Sequence, residues 1–193
     1  MRPGSYSHRD MKKSLLTLLA LTTVSTAAAD SLGLSGAFQK GFYRAEGESV
    51  ELDGSAAIGV SYTYDLDSVS SVRAELELLP NLYGSEKLGF GGEFTYLRSV
   101  FNDGTANVYV GGGLGLNTVS DTMDGVTARL TGVNPTALVG VNYAVAPGFA
   151  AYLELAGGAS FLRASASSGG VSFSNSATGA FVKPRIGVTY NLR

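Results

Sequence analysis

The feature that most constrains this chain is a period of two. Between Ser31 and Leu192, bulky apolar residues recur at every second position in eight separate stretches. That spacing places successive side chains on opposite faces of an extended strand. In one stretch Ile58, Val60, Tyr62, Tyr64 and Leu66 alternate with Ala57, Gly59, Ser61, Thr63 and Asp65. In another, Val72, Ala74, Leu76 and Leu78 alternate with Arg73, Glu75 and Glu77, and in the last, Val182, Ile186, Val188 and Tyr190 alternate with Lys183, Arg185, Gly187 and Thr189. The spacing predicts eight strands of about ten to fourteen residues, within the usual length range of strands or slightly beyond it.

The connections alternate as well. Short turns follow the second, fourth and sixth strands at Asp67–Ser70, Asn102–Gly104 and Ala146–Gly148. Longer loops are expected at Glu46–Ser55, Thr118–Thr131 and Ala164–Thr178, with an intermediate one at Pro80–Glu86. Neighbouring strands joined this way are antiparallel, and an even number of them can close into an up-and-down barrel with short turns at one rim and loops at the other.

The side facing outward is decided by composition. Charged residues make up 16% of the chain, against roughly a quarter in soluble domains. A soluble barrel keeps its apolar face inside and wets the other face with Lys and Glu. Here the second face is mostly Gly, Ser, Ala, Thr and Asn, which suits a narrow lumen, since eight strands leave room for little more than side chains. The apolar face is therefore expected to meet lipid. The alternative is an exported soluble barrel, lipocalin-like, with the apolar face inside and a ligand within.

Residues 1–29 read as a leader. Lys12 and Lys13 precede an apolar run from Ser14 to Val24 and a small-residue site at Ala27–Ala29, the three parts of a secretory signal peptide. About eleven apolar residues are too few for a transmembrane helix, which needs about 20. Met11 is the expected initiator, and residues 30–193 the expected mature barrel domain. Without the leader the chain keeps ten cations and fifteen anions, a net charge of −5, which argues against nucleic acid as a partner.

A motif related by Gly-X-X-Tyr recurs at Gly59–Tyr62, Gly140–Tyr143 and Gly187–Tyr190, with Glu93–Tyr96 as a looser copy. All four end near the short-turn rim with the Tyr facing outward. Together with Tyr64 and Phe149, residues Tyr62, Tyr96, Tyr143 and Tyr190 form a candidate aromatic girdle, in which ring bodies sit at the acyl boundary and hydroxyls stay wet. Signal peptide, eight amphipathic strands, rim asymmetry and the terminal stretch Ile186–Leu192 resemble the small bacterial outer-membrane barrels of the OmpA/OmpX type. The resemblance covers nearly all of the mature chain. It implies residence in the bacterial outer membrane, outer-membrane lipid and the barrel-assembly machinery as partners, and a monomer with no further domain. Such barrels commonly end in an aromatic residue, whereas this chain ends Leu192-Arg193 with Tyr190 before them.

The chemistry left to such a chain is limited. His8 is the one histidine and there is no Cys, so a mature chain lacks the His base of a hydrolase and the His and Cys ligands of zinc or copper sites. No enzyme activity and no cofactor are expected. Gly111–Gly115 lacks the Lys-Ser/Thr and the helix of a phosphate loop and reads as barrel wall. The acidic loop Arg44–Asp53, with Asp121 and Asp124, could hold Ca²⁺ loosely but matches no EF-hand spacing. What remains is a set of inward charges: Arg73, Glu75, Glu77, Glu93, Glu154, Lys183 and Arg185. Depth counting lets Arg185 reach Glu154 or Glu93 near mid-lumen, with Lys183 one layer higher near Glu77. These charges form either an ionic plug that fixes the barrel or a gate that opens a small conduit. The plug, with a structural or surface-interaction role carried by the loops, is the reading adopted; a pore for small solutes or ions is the alternative.

Overall fold

The computed structural model describes residues 30–45, 48–123, 125–169 and 171–192; the leader and the aspartate Asp124 lie outside the described residues, as do Glu46 and Gly47 of the acidic loop. The strands are β1 (Ser31–Ala45), β2 (Glu48–Glu51), β3 (Ser55–Asp65), β4 (Ser70–Leu79), β5 (Gly89–Asn102), β6 (Ala106–Met123), β7 (Val126–Ala146), β8 (Phe149–Ser168) and β9 (Val171–Asn191). Each pairs antiparallel with the next around the sheet, and β1 closes the ring on β9, from Ser31 opposite Asn191 to Arg44 opposite Thr178. Eight strands form this ring. The ninth, β2, is a short hairpin arm laid along β1 above the end of β3.

The two faces separate as the alternation requires. Ile186 is 64% exposed on the outside, while its neighbour Arg185 is 1% exposed within. The outer surface is a continuous apolar belt and the inner one is polar, the opposite of what a soluble lipocalin-like barrel needs. The belt also has an upper aromatic border that the sequence reading did not single out: Phe38, Phe42, Phe90 and Phe161 all face outward. On β8 the lower and upper borders are marked by Phe149 and Phe161. Twelve residues at about 3.3 Å each, tilted by roughly 40°, separate them by roughly 30 Å along the barrel axis. That matches the thickness of a bilayer hydrocarbon core.

One expectation needs correcting. Strands β6 to β9 are 18 to 21 residues long rather than ten to fourteen, because two of the expected long loops are paired strand. Val119 lies opposite Leu130, Ala164 opposite Asn175, and Thr127 opposite Ser167. About 9–11 residues suffice to cross a bilayer, so β6–β9 project beyond the belt as a four-stranded extension. The loops were hard to read because Ser, Thr and Ala give little contrast between faces, while backbone pairing needs no contrast at all.

The β4–β5 connection, expected as a loop of intermediate length, folds into the barrel mouth. A 3-10 turn at Leu82–Gly84 ends on Gly84 at φ 80°, and Tyr83 within it has φ 54°. This left-handed pair reverses the chain sharply, a conformation natural for Gly and costly for Tyr. It seats Leu82 at 1% exposure against Ala57, Leu79 and Val119.

Candidate functional site in the barrel lumen

The inward charges come from four strands and meet at mid-lumen. Arg73 on β4 makes a two-pronged contact with Glu154 on β8, Nη1 to Oε2 at 2.9 Å and Nη2 to Oε1 at 3.0 Å. Arg185 on β9 also donates to Glu154 through Nη1 and reaches Glu93 at 3.1 Å, Glu75 at 3.3 Å and Glu77 at 3.4 Å. Lys183, one inward position higher on β9, donates to Glu77 and lies 3.4 Å from Glu93. All seven sequence-derived lumen residues therefore belong to one cluster. The depth count anticipated Arg185 with Glu154 and Glu93, and Lys183 with Glu77. It did not anticipate Arg73 with Glu154, nor the reach of Arg185 to β4.

The cluster is clad in hydroxyls. Ser35 donates to Glu75 at 2.6 Å, Thr95 to Glu93 at 3.0 Å, and Tyr109 to Glu154 at 3.1 Å. These donors matter because four carboxylates face three cations, and a buried charge is tolerable only when paired and hydrogen-bonded. The Nε atoms of Arg73 and Arg185 and the Tyr152 hydroxyl are buried without a hydrogen-bond partner.

Three inward tyrosines, Tyr43, Tyr109 and Tyr152, were missed as site residues. Each stands directly across the ladder from a glycine: Gly179, Gly140 and Gly187 respectively. A Cβ at Gly140 would overlap the Tyr109 ring, so the bare backbone is what lets the ring lie flat against the wall. The Gly–Tyr pairing between neighbouring strands was the signal available in the sequence.

Above the charges, Ser160 donates to Asn134 at 2.6 Å, and Asn117 and Tyr83 are joined at 3.1 Å. Tyr43 and Tyr83 meet edge to face with centroids 6.0 Å apart. Leu82 then closes the upper mouth. Below the charges, a polar vestibule of about 670 Å³ opens at the short-turn rim. Its walls carry Ser61, Thr63, Ser99, Asn107 and Thr189, and Arg73, Tyr109 and Tyr152 stand among its lining.

The outward aromatics lie where parity puts them. Tyr64, Tyr96, Tyr143, Phe149 and Tyr190 are exposed, and Phe149 rests on Tyr190 with centroids 4.7 Å apart. Tyr62 is only half exposed, its hydroxyl donating to Asp30. Phe101 is an addition. A bulge between Ser99 and Phe101 shifts the register and turns Phe101 outward, against its parity. Gly111–Gly115 lies wholly within β6. Among the described residues no group of three or more His, Cys, Asp or Glu side chains is disposed to hold a metal ion.

No protein-family model and no curated protein match the sequence. Solved structures do match its fold. Neisserial surface protein A is 16% identical, with 87% of this chain and 100% of that one covered and a TM-score of 0.56. The outer membrane protein OprG from Pseudomonas aeruginosa is 12% identical, over 86% and 97% of the two chains, with a TM-score of 0.57. The outer membrane protein AlkL, solved in lipid bilayers, is 11% identical over 100% and 97%, with a TM-score of 0.58. At such identities the likeness is one of fold, and this chain has the closed eight-stranded architecture found in solved bacterial outer-membrane barrels.

Proposed function

We propose that the chain is a shut barrel of the bacterial outer membrane that acts through its outer surface and catalyses no reaction. The observation that carries this is Arg185, 1% exposed and in contact with Glu154 beside it on β8 and with Glu75, Glu77 and Glu93 across the lumen. An eight-stranded barrel is narrow, so a cross-linked ionic layer supported by tyrosines fills its section. Moving an ion past would mean breaking several buried pairs at once, each worth a few kcal/mol when one member is left alone. Exported with residues 1–29 as leader, the monomer would be inserted by the barrel-assembly machinery, sit in outer-membrane lipid, and present β6–β9 to an extracellular or envelope partner.

The alternative, a pore for small solutes or ions, has one observation in its favour: the vestibule at the short-turn rim. Planar-bilayer recording of the folded protein tests the choice. A shut barrel gives no steady conductance in the wild type, and removing a cation at the Arg185 position opens it. Steady wild-type conductance that Arg185→Ala alters would establish the pore instead.

A further inference from the structure

Above the belt the two faces of the sheet exchange polarity. In the extension, the face continuous with the lumen carries Val119, Met123, Val126, Leu130, Val171 and Phe173. The face continuous with the lipid belt carries Thr122, Thr127, Arg129, Arg163, Ser172 and Ser174. The pairing of β6 with β7, of β7 with β8 and of β8 with β9 runs unbroken through this region, so the exchange is in the side chains and not in a flipped register. Such an inversion suits a sheet standing in water: the apolar side turns toward the barrel axis because no hydrocarbon remains outside.

That apolar side is only half covered. Leu82 and Tyr83 of the inserted loop pack on Val119 and Leu130, and the Lys87–Asp121 ion pair at 3.4 Å ties the same loop to β6. Between loop and extension a hollow of about 620 Å³ is left. Its apolar lining includes Leu82, Val119, Ala128, Leu130, Ala166 and Phe173, with Ser85, Asp121 and Asn175 as polar points. Phe173 is 74% exposed, with Met123 at 69% and Val171 at 57% on the same face, and a contiguous apolar patch left open to water marks an interaction site. The volume falls within the range of small-molecule pockets, ~300–1,000 Å³. Beneath it, the Tyr83–Asn117 contact, Tyr43 and the ionic layer block the way down.

We propose that this hollow is a blind cup that captures one small apolar or amphipathic molecule from the water outside and does not pass it through the lumen. A chain from the surrounding lipid would first have to cross the polar outer face formed by Arg129, Thr131 and Arg163. The proposal depends on the preceding reading only in placing the extension in water. Conductance reports on the lumen and ligand binding on the cup, so failure of one is distinct from failure of the other.

The test uses the folded protein in lipid nanodiscs and N-phenyl-1-naphthylamine as the probe, with empty nanodiscs as background. Saturable binding at one site is expected. Ala166→Trp, which fills the cup, and Phe173→Ala, which removes a wall, should each weaken it at least tenfold, while Ser167→Trp on the opposite face of β8 leaves it unchanged. Heat-modifiability on gels reports that each variant is folded. Signal equal to empty nanodiscs, or both cup variants binding like the wild type, overturns the proposal. Because the chain has no Trp, a Phe173→Trp side chain, which keeps the aromatic wall and leaves the cup open, is also a clean reporter. Strong quenching of it by tail-brominated lipid would show that membrane chains fill the cup, and would equally overturn capture from water.

Discussion

Glu75 and Glu93 stand directly opposite each other across the β4–β5 ladder, and Arg185 reaches both from β9. Like charges directly opposed on neighbouring strands are destabilising. This pair is held because cations surround it. Arg73 on β4 lies 3.9 Å from each, and Lys183 lies 3.4 Å from Glu93. Arg185 arrives from the other side of the barrel, where it is itself cross-strand to Glu154. The ionic layer thus joins a repulsive pair on one wall to an attractive pair on the other, and it locks the two walls together.

Removing that cation should be costly. Arg185→Ala leaves Glu75, Glu77 and Glu93 short of a partner in a buried site, a loss of about 3–5 kcal/mol. Adding Glu75→Gln relieves the repulsion and should restore part of that loss. Urea unfolding of the single and double variants in lipid vesicles checks the sign and the coupling; additive losses would refute it.

The upper closure is separable from the ionic one. Leu82→Ala should cost about 2–4 kcal/mol by opening a cavity beneath the loop. It should leave the bilayer electrically silent, because the charges below remain paired. Conductance appearing in this variant alone would mean that Leu82, and not the ionic layer, is the seal.

Glycines in the wall should differ in a defined order. At Gly158 an added Cβ would collide with the Pro135 carbonyl, part of the backbone. At Gly140 it would meet the Tyr109 ring, which can yield only by weakening its bond to Glu154. At Gly112 the nearest atom is 3.5 Å away. Ala substitution should therefore be most harmful at Gly158, intermediate at Gly140 at about 1–3 kcal/mol, and mild at Gly112, as read by unfolding midpoints.

Acid should loosen the short turns. Asp103 accepts from the Ala106 and Thr105 amides, and Asp67 from those of Val69 and Ser70. These bonds hold both carboxyls below the ordinary aspartate range. A depressed folded value means the contribution is present above the unfolded aspartate value of about 3.9 and is lost as pH falls through the folded one. Amide-proton shifts of the four donors, followed by NMR, should titrate with midpoints lower than 3.9; midpoints at or above it would contradict the turn geometry.

Much of this was legible along the chain, because alternation is a local property. Which side chains face in and which face out follows from parity alone, so the seven lumen charges and the outward aromatics could be named from the sequence. Parity failed at Phe101, where one extra residue in a bulge reverses the facing and no local pattern announces it. Pairing beyond the belt was hidden for another reason: the Ser-rich and Ala-rich segments of β8 and β9 have weak facial contrast, yet their backbones still satisfy each other.

Sequence by itself therefore determined that eight strands cross the belt, which of their faces is apolar, and the inventory of buried charge. Only closure of the ring decided that Arg73 would meet Glu154, 81 positions away, and that Leu82 would drop into the mouth. Those contacts depend on strand tilt and on the register with which β9 returns to β1, quantities that belong to the whole barrel and to no single segment of it.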